Sequence, residues 1–180
     1  MPFDPNEPQH GELIDVVQLR SQFNGHKALI DAVPTTAYGR VLADWTSGSA
    51  SFTDVGGLSF AVAAGESWSR EVVLAVVSGV SGQGLKFRAT GPGAGSVLVA
   101  IPGTGTSGST AMECEVQTAF SEASPTKTFC TGSSLTGVVR IHVVVTNASA
   151  GSVQLQASNG SGSGTVTIKT NSDLLARRTG

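Results

Sequence analysis

The side chains that perform catalysis are few in this chain and lie far apart in the sequence. The three histidines are His10, His26 and His142, and no two of them stand close together. A histidine acts as a general base when a nucleophile lies within hydrogen-bond reach and a third group orients its ring. Folding can assemble such a triad, but each histidine here also has a structural place, in an arm, on a helix or within a strand. We therefore predict that the chain is not an enzyme.

One glycine-rich segment matches a nucleotide-binding pattern. Residues 103–108 have the spacing GxGxxG and follow an apolar strand. A dinucleotide site also needs a helix directly after the glycines, because the helix N-terminus receives the pyrophosphate. The next segment, residues 112–120, has the alternation of a strand instead. The glycines therefore indicate a loop, and no cofactor is predicted.

The cysteines and the acidic residues show no metal-binding pattern. Cys114 and Cys130 lack the CxxC or Cys/His spacing of a zinc site. We expect both to be buried free thiols, with a disulfide bridge as the alternative. Glu113, Glu115 and Glu122 come closest to an acidic cluster, and alternation places the first two on one strand face. A solvated sheet edge explains that pair better than calcium binding does, because calcium sites group their carboxylates in loops.

Composition and charge exclude several classes of partner. The chain has 180 residues, a formal net charge of −2 and only 13% charged residues. Its lysines and arginines are scattered, so no basic stripe exists to neutralise phosphates, and we expect no nucleic-acid partner. No apolar run approaches the roughly 20 residues of a membrane span, and the N-terminus lacks the basic and apolar parts of a secretory signal. We expect no membrane partner and no such signal.

The elements that would position these residues begin with an extended arm and a helix. Prolines at intervals of three prevent a regular helix through about residue 10. A helix is predicted from about residue 12 to residue 32, where Pro34 ends it. Its apolar residues recur at intervals of three and four, which places one narrow stripe on a single face. The stripe consists of Val16, Leu19, Phe23, His26, Ile30 and Val33.

A stripe this narrow is typical of a helix that packs against a partner helix. We therefore predict that the helix takes part in self-association. The helix is too short to hold chains together alone, since isolated helices below about 12–15 residues are marginal in water. The alternative is an ordinary amphipathic helix that packs on its own domain or on a larger neighbour.

After the helix the pattern changes to short β segments bounded by Gly, Ser, Asn and Pro. The chain is therefore predicted to be mainly β, with an antiparallel β-sandwich or jelly-roll-like head at 37–180. An extended arm and one short α-helix at 1–36 precede that head. The predicted strands are 40–46, 58–62, 71–77, 85–89, 96–101, 112–120, 137–146, 152–157 and 165–170.

The strand around residue 141 is apolar on both faces. Alternation places Val139, Ile141, Val143 and Val145 on one face, and Val138, Arg140, His142 and Val144 on the other. A strand in a monomeric sandwich usually exposes one polar face. The second face is therefore expected to be covered, either by another subunit or by a loop of the same chain.

Several segments resemble structural proteins of tailed bacteriophages. The N-terminal ones are similar to virion attachment anchors, and the others to a β module recurrent in phage structural proteins. The resemblance covers most of the chain. The segments are Pro-Phe-Asp-Pro at 2–5, Leu-Arg-Ser-Gln-Phe-Asn-Gly at 19–25, Lys-Ala-Leu-Ile-Asp at 27–31, Phe-Thr-Asp-Val-Gly-Gly-Leu-Ser-Phe at 52–60, Gly-Leu-Lys-Phe at 84–87, Gly-Pro at 91–92 and Asp-Leu-Leu-Ala-Arg-Arg at 173–178.

This resemblance implies a component of the virion surface, made in the host cytoplasm and commonly trimeric. The expected function is capsid decoration or a head fibre that binds the major capsid protein or another virion protein. The expected contacts are the helix stripe and the arm residues Pro2, Phe3, Pro5 and Pro8. One alternative is a short tail fibre or receptor-binding tip that touches a host-surface glycan. Another is a lectin-like β-sandwich, for which the candidate aromatic residues are Tyr38, Trp45 and Trp68.

Overall fold

The computed structural model describes residues 16–31, 35–79, 84–93, 96–104, 112–121, 128–129, 136–146 and 149–179. Within these ranges the chain has one helix and eleven strands, in two compact units that divide between Thr35 and Thr36. The elements are α1 (Val16–Asp31), β1 (Thr36–Arg40), β2 (Trp45–Ser47), β3 (Thr53–Val62), β4 (Trp68–Ser78), β5 (Leu85–Thr90), β6 (Ser96–Thr104), β7 (Met112–Gln117), β8 (Thr136–Thr146), β9 (Gly151–Asn159), β10 (Val166–Ile168) and β11 (Asp173–Arg178).

The strands form two antiparallel sheets. The large sheet has the order β1-β11-β4-β8-β6-β7, with β10 paired to both β4 and β2. The small sheet has the order β3-β9-β5. The prediction of a mainly β chain with an antiparallel sandwich and one short helix is confirmed. The jelly-roll connectivity stays a prediction.

The core lies between the two sheets and follows the alternation of the strands. Every second residue of β4, from Trp68 to Ser78, is buried. The four inward residues of β8 are buried as predicted, namely Val139, Ile141, Val143 and Val145. The small sheet contributes residues such as Phe60, Phe87 and Leu155 from its own inward face. Two apolar sheet faces packed in this way remove both from water, which is the main favourable term in folding.

Several predicted strand boundaries were wrong. β3 begins at Thr53 rather than at 58, and β10 covers only Val166–Ile168 of the predicted 165–170. A single strand at 40–46 does not form, because β1 pairs with β11 whereas β2 pairs with β10. The side chain of Asp44 also accepts a hydrogen bond from the backbone N–H of Thr170, at 3.0 Å. The chain is therefore divided there into β1 and β2. The strand at 112–120 is shorter than predicted, because Phe120 lies in a turn.

Strand β11 was not among the predicted strands, although it lies inside the large sheet. One edge of β4 is long enough to pair with β11 and then with β10. In the gap between them, the Ser172 hydroxyl accepts a hydrogen bond from the backbone N–H of Ala75, at 3.0 Å. The backbone N–H of Lys169 donates to the carbonyl of Ala75. The turn between β10 and β11 thus satisfies the backbone of β4 where neither strand reaches it.

A carboxylate ties together the turn before β4 and the end of β11. Glu66 accepts hydrogen bonds from the backbone N–H of Ala63 at 2.9 Å, from Trp68 Nε1 at 3.0 Å and from Arg178 Nη1 at 3.2 Å. The hydrogen bond from Ala63 is the largest of the causes that hold the pKa of Glu66 below its usual value of 4.5. These contacts favour the ionised carboxylate.

Acid is expected to weaken the head through Glu66. Because the folded state lowers the pKa of this group, its contribution to stability is fully present above pH 4.5 and is lost as the pH falls through the lowered pKa. The measurement is the thermal unfolding midpoint from pH 7 to pH 3 for the wild type and for Glu66→Gln. The variant should lose less stability over that interval. An identical acid dependence in both proteins would contradict this role of Glu66.

Candidate functional site

The predicted helix stripe is exposed on α1. The side chains of Phe23 and Ile30 are 65% and 70% exposed, and Val16 and Leu19 of the same stripe are exposed as well. His26 lies on the same face and is also exposed. Val33 lies outside the described residues, as do the arm residues Pro2, Phe3, Pro5 and Pro8, so their contacts stay predictions. Four large apolar side chains on one helix face form a surface suited to packing against another molecule.

A second exposed apolar surface lies on the large sheet, on the side away from the core. We call it the apolar face, and its described residues come from six strands. Val138 of β8 is 58% exposed and Leu175 of β11 is 55% exposed. The apolar face consists of Tyr38, Val73, Leu98, Ala100, Val116, Val138, Val144 and Leu175.

The exposure of this surface bears on whether another subunit or a loop covers the second face of β8. Within the described part of the chain, Val138 and Val144 are not covered, so no described loop crosses them. The loop alternative therefore finds no support among these residues. Coverage by another subunit remains a prediction.

The strand register aligns one row of residues straight across the apolar face. Tyr38 pairs with Leu175, Leu175 with Glu71, Glu71 with His142, His142 with Ala100, and Ala100 with Val116. The two polar side chains of the row occupy its centre, and apolar residues occupy both ends. Beside the row, Arg140 Nη1 donates to Glu71 Oε1 at 2.9 Å, in an exposed ion pair.

A shallow depression of about 330 Å³ opens in one half of this face. One tyrosine ring, two carboxylates and one guanidinium surround it together with two apolar side chains. These groups can offer hydrogen bonds of both kinds and an apolar wall to a small polar molecule. The lining residues are Tyr38, Glu71, Val73, Arg140, Asp173 and Leu175.

The outer face of the small sheet is polar by contrast. Gln156 Nε2 donates to Asp54 Oδ1 at 2.7 Å, and Arg88 Nε donates to Gln156 Oε1 at 2.8 Å. The guanidinium of Arg88 also lies 4.4 Å from the centre of the Phe52 ring. A polar sheet face of this type is stable in contact with water. The two outer surfaces of the sandwich therefore differ in kind, and the apolar one is better suited to being covered.

The three histidines are not brought together in the described structure, although His142 lies beside Glu71 in the register of β4 and β8. His142 is exposed on β8 and His26 is exposed on α1, while His10 lies outside the described residues. Glu115 is buried on the inward side of β7, so the interpretation of a solvated edge was wrong for this residue. The side chain of Glu113 and the whole of Glu122 lie outside the description. Within the described ranges, no group of three or more His, Cys, Asp or Glu side chains is placed to hold a metal ion.

The cysteine prediction was wrong in one respect. Cys114 is a free thiol, as predicted, but it is exposed on the outer side of β7 rather than buried. Alternation explains this, because Glu115 and Gln117 take the inward positions of the same strand. Cys130 lies outside the described residues.

Among the helices of the described ranges, none has the length and apolar content needed to cross a membrane.

The aromatic residues suggested for sugar binding have different positions. Trp68 is buried, with its ring centre 5.4 Å from that of Phe60, so it belongs to the core. Trp45 is partly buried and packs against the core. Tyr38 is exposed at the rim of the depression.

Strand β7 follows the glycine-rich segment at 103–108, as predicted. Residues 105–111, which include most of that segment, lie outside the described residues.

Signals for the apolar face were present in only part of the sequence. Alternation along β8 predicted that strand's share of it. The contributions of Tyr38 and Leu175 were missed because β1 and β11 were not among the predicted strands. A short strand such as β11, with Leu174 inward and Leu175 outward, contains too few residues for its alternation to stand out.

Comparisons with known proteins place few constraints on the chain. No model of a known protein family matches it, and no curated protein does. Among solved structures, it is similar to the VP2 subviral particle of infectious bursal disease virus, with 13% identity and a TM-score of 0.26, over 82% of this chain and 37% of that one. The Gt strain structure of the same virus gives 9% identity and a TM-score of 0.25, over 82% and 38%. The chain thus spans little more than a third of those proteins, and at such TM-scores the likeness carries no argument about function.

Proposed function

We propose that this chain is a non-enzymatic structural protein of a virion, a capsid decoration or head-fibre protein. The N-terminal arm and helix α1 dock on the major capsid protein or on another virion protein. The β head faces outward from the particle and associates with further copies, as a homotrimer. The protein is made in the host cytoplasm and takes up its place at the virion surface.

The observation that carries this proposal is the exposed stripe of α1. Burying a side chain such as Phe23 or Ile30 contributes roughly 1.5–3 kcal/mol, which the helix does not gain while the side chain is in water. The stripe therefore has apolar area available for a partner. The resemblance of the segments at 2–5, 19–25 and 27–31 to virion attachment anchors suggests that this partner is a virion protein.

Charged substitutions on the stripe are expected to release the protein from the particle. The double variant Phe23→Glu/Ile30→Glu should lower the affinity for particles by about a hundredfold or more, since two buried apolar side chains contribute roughly 3 kcal/mol and 1.4 kcal/mol is tenfold. The measurement is co-sedimentation with virions or capsids that lack this chain. Val17→Glu is the matched control, because Val17 is 74% exposed on the opposite face of α1. Equal binding of wild type and double variant would overturn the proposal.

Copy number separates decoration from a tail position. Quantitative mass spectrometry of purified virions should find hundreds of copies for a protein distributed over the shell. A handful of copies, or about a dozen, would indicate a tail fibre instead. If purified virions do not contain this chain, both the decoration proposal and the tail-fibre alternative are wrong.

A second candidate function is a receptor-binding or lectin-like head that recognises a host-surface glycan. The specific observation in its favour is the depression beside Tyr38, where an aromatic ring stands near Glu71, Asp173 and Arg140. Aromatic rings and convergent polar groups are what a sugar site needs. A glycan array with the wild type and with Tyr38→Ala tests this candidate. Binding that is lost in the variant supports it, and no binding by the wild type removes it.

A further inference from the structure

We propose that the apolar face of the large sheet is the surface on which a second copy of this chain docks. The side formed by β1 and β11 on one copy meets the side formed by β6 and β7 on the next. This inference rests on the self-association of the head in the proposed function, and it gives that association a twofold contact, which closes at two copies, in place of a homotrimer. It assigns the contact between heads to named strands and identifies its occupant as the chain itself.

The first argument is the size and exposure of the surface. Six strands spaced about 4.8 Å apart and about 20 Å long give a flat footprint on the order of 500 Å². A stable contact buries about 800 Å² of accessible surface on each partner. The flat footprint of the face therefore supplies more than half of the area that a contact between subunits needs.

The second argument is that the central row of the face is complementary to itself. Read across the sheet, the row has two apolar residues, a carboxylate, an imidazole and two apolar residues. If a second copy is turned about an axis parallel to the strands, between β4 and β8, the row meets its own reverse. The facing pairs are then Tyr38 with Val116, Leu175 with Ala100, and Glu71 with His142.

The central polar pair supports the same arrangement. Glu71 lies on the β4 side of the axis and His142 on the β8 side, so the rotation places the carboxylate of each copy against the imidazole of the other. Turning the copy about an axis across the strands would instead place Glu71 against Glu71, which like-charge repulsion disfavours. Asp173 lies opposite Arg40 in the register, and Arg177 lies as far from the central row as Asp173 does, so these charges add no preference for either axis.

The polar outer face of the small sheet strengthens the assignment. That face carries Asp54, Arg88 and Gln156, whose side chains already bond to one another. Docking through it would require their desolvation, with few apolar contacts in return. The sandwich therefore has one outer surface suited to contact with a copy and one suited to water.

Light scattering on the full-length chain tests the inference. The wild type should have a mass of twice the 18.2 kDa of one chain, because a twofold contact closes at two copies. A mass of three chains would support the homotrimer of the proposed function and overturn the twofold contact. Leu175→Lys should be monomeric, because it places a charge among the apolar side chains of the contact. Leu42→Lys is the matched control and should keep the wild-type mass, since Leu42 is 85% exposed in the connection after β1 and lies outside the face. Thermal unfolding of each variant checks that the fold is retained, and a Leu175→Lys head that does not fold is replaced by Leu175→Ser.

A charge pair then tests which sides of the face meet. Ala100→Glu alone should also be monomeric. Leu175→Lys and Ala100→Glu in one chain should restore the oligomer, because the lysine of one copy faces the glutamate of the other. Recovery in the double variant supports the pairing of the β11 side with the β6 side. Failure to recover would overturn that pairing.

Other occupants of the face give different results. A wild type that is monomeric in solution overturns the inference and leaves the face to a capsid protein or a glycan. An oligomer whose mass Leu175→Lys leaves unchanged overturns it in favour of association through α1. Neither outcome touches particle attachment, which the stripe variants measure separately. Loss of attachment in Phe23→Glu/Ile30→Glu together with an unchanged mass in Leu175→Lys would thus keep the proposed function and reject the further inference.

Discussion

Gly57→Ala is expected to lower the free energy of unfolding of the head by about 3 kcal/mol or more. Gly57 has a φ of +81°, a backbone conformation that costs an L side chain roughly 1–2 kcal/mol. A Cβ at this position would also overlap the carbonyl oxygen of Arg40, which belongs to β1. A backbone oxygen held in a strand cannot move aside cheaply. Strain and overlap therefore add at this one site.

Neighbouring glycines provide matched controls for the two effects. Gly65 also has a φ of +81°, but nothing lies within 4 Å of its added Cβ, so Gly65→Ala should show the backbone strain alone, at about 1 kcal/mol. Gly56 has neither a left-handed backbone nor a close neighbour. Gly56→Ala should therefore leave the stability unchanged within about 0.5 kcal/mol.

Chemical denaturation at pH 7 measures these differences as shifts of the unfolding midpoint. The expected order of destabilisation is Gly57→Ala, then Gly65→Ala, then Gly56→Ala. Gly39→Ala should show the overlap without the backbone strain, because a Cβ at Gly39 would overlap the carbonyl oxygen of Gly57 while its own φ is not positive. Equal effects at Gly57 and Gly65 would mean that the close approach of β1 and β3 contributes nothing.

Arg70→Ala is the second substitution with a large expected effect, a loss of about 2–3 kcal/mol. Arg70 extends from β4 into the core and is only 2% exposed. Its Nη2 donates to the carbonyl of Leu58 at 2.6 Å, and its guanidinium lies 5.1 Å from the centre of the Phe60 ring. Leu58 and Phe60 belong to β3, in the other sheet. One side chain thus joins the two sheets where a shift of register interrupts the pairing of β3 with β9.

Arg70→Met should cost much less than Arg70→Ala. Methionine keeps most of the volume of the arginine side chain, so it leaves no large cavity. Loss of the hydrogen bond destabilises the head, but removal of a buried charge stabilises it. The net change in the free energy of unfolding should therefore stay within about 1 kcal/mol. The comparison separates packing from charge, because both variants lose the bond to Leu58 and only alanine leaves a cavity. Equal destabilisation by the two variants would assign the effect to the hydrogen bond instead. Denaturation curves with equal slopes are needed for the comparison.

The pH dependence of the stability difference between the wild type and Arg70→Met reports whether the buried guanidinium is charged. Burial lowers the pKa of Arg70 to about 9, well below the usual value of an arginine. Between these values the unfolded chain keeps a proton that the folded head releases, so this group makes the head more stable as the pH rises. The stability of the wild type relative to Arg70→Met should therefore increase from pH 9 to pH 11. A constant difference would show that the guanidinium stays charged.

The periodicity of the sequence predicted much of the fold. The stripe from Val16 to Ile30 predicted α1, and alternation predicted the inward and outward residues of β8 correctly. These predictions succeeded because each depends on a repeat within one element, which is present in the chain before it folds. Predictions failed where a distant residue decides the local structure. β1 and β2 are separate strands because β1 pairs with β11 and β2 pairs with β10, both more than a hundred residues away.

The residues of the candidate site were likewise predicted only where a local repeat in the sequence placed them. The apolar stripe of α1 was predicted from spacing, while the arm and Val33 remain predictions outside the described residues. The apolar face was predicted on β8 alone, since its other members come from strands that only the sheet order brings together. Arg70 gave no signal at all, because an arginine in a strand is expected to lie outward. Its burial depends on the carbonyl that the bulge in β3 leaves free.

By itself, the sequence determined that this is a mainly β chain with an amphipathic helix before it, because hydrophobic periods of two and of about 3.6 residues distinguish strands from helices. Tertiary structure alone decided which strands are neighbours, which outer surface is apolar, and which of its charges face one another. These properties depend on backbone pairing between segments far apart in the chain. Such pairing is selected by the packing of the whole core and leaves no local repeat in the sequence.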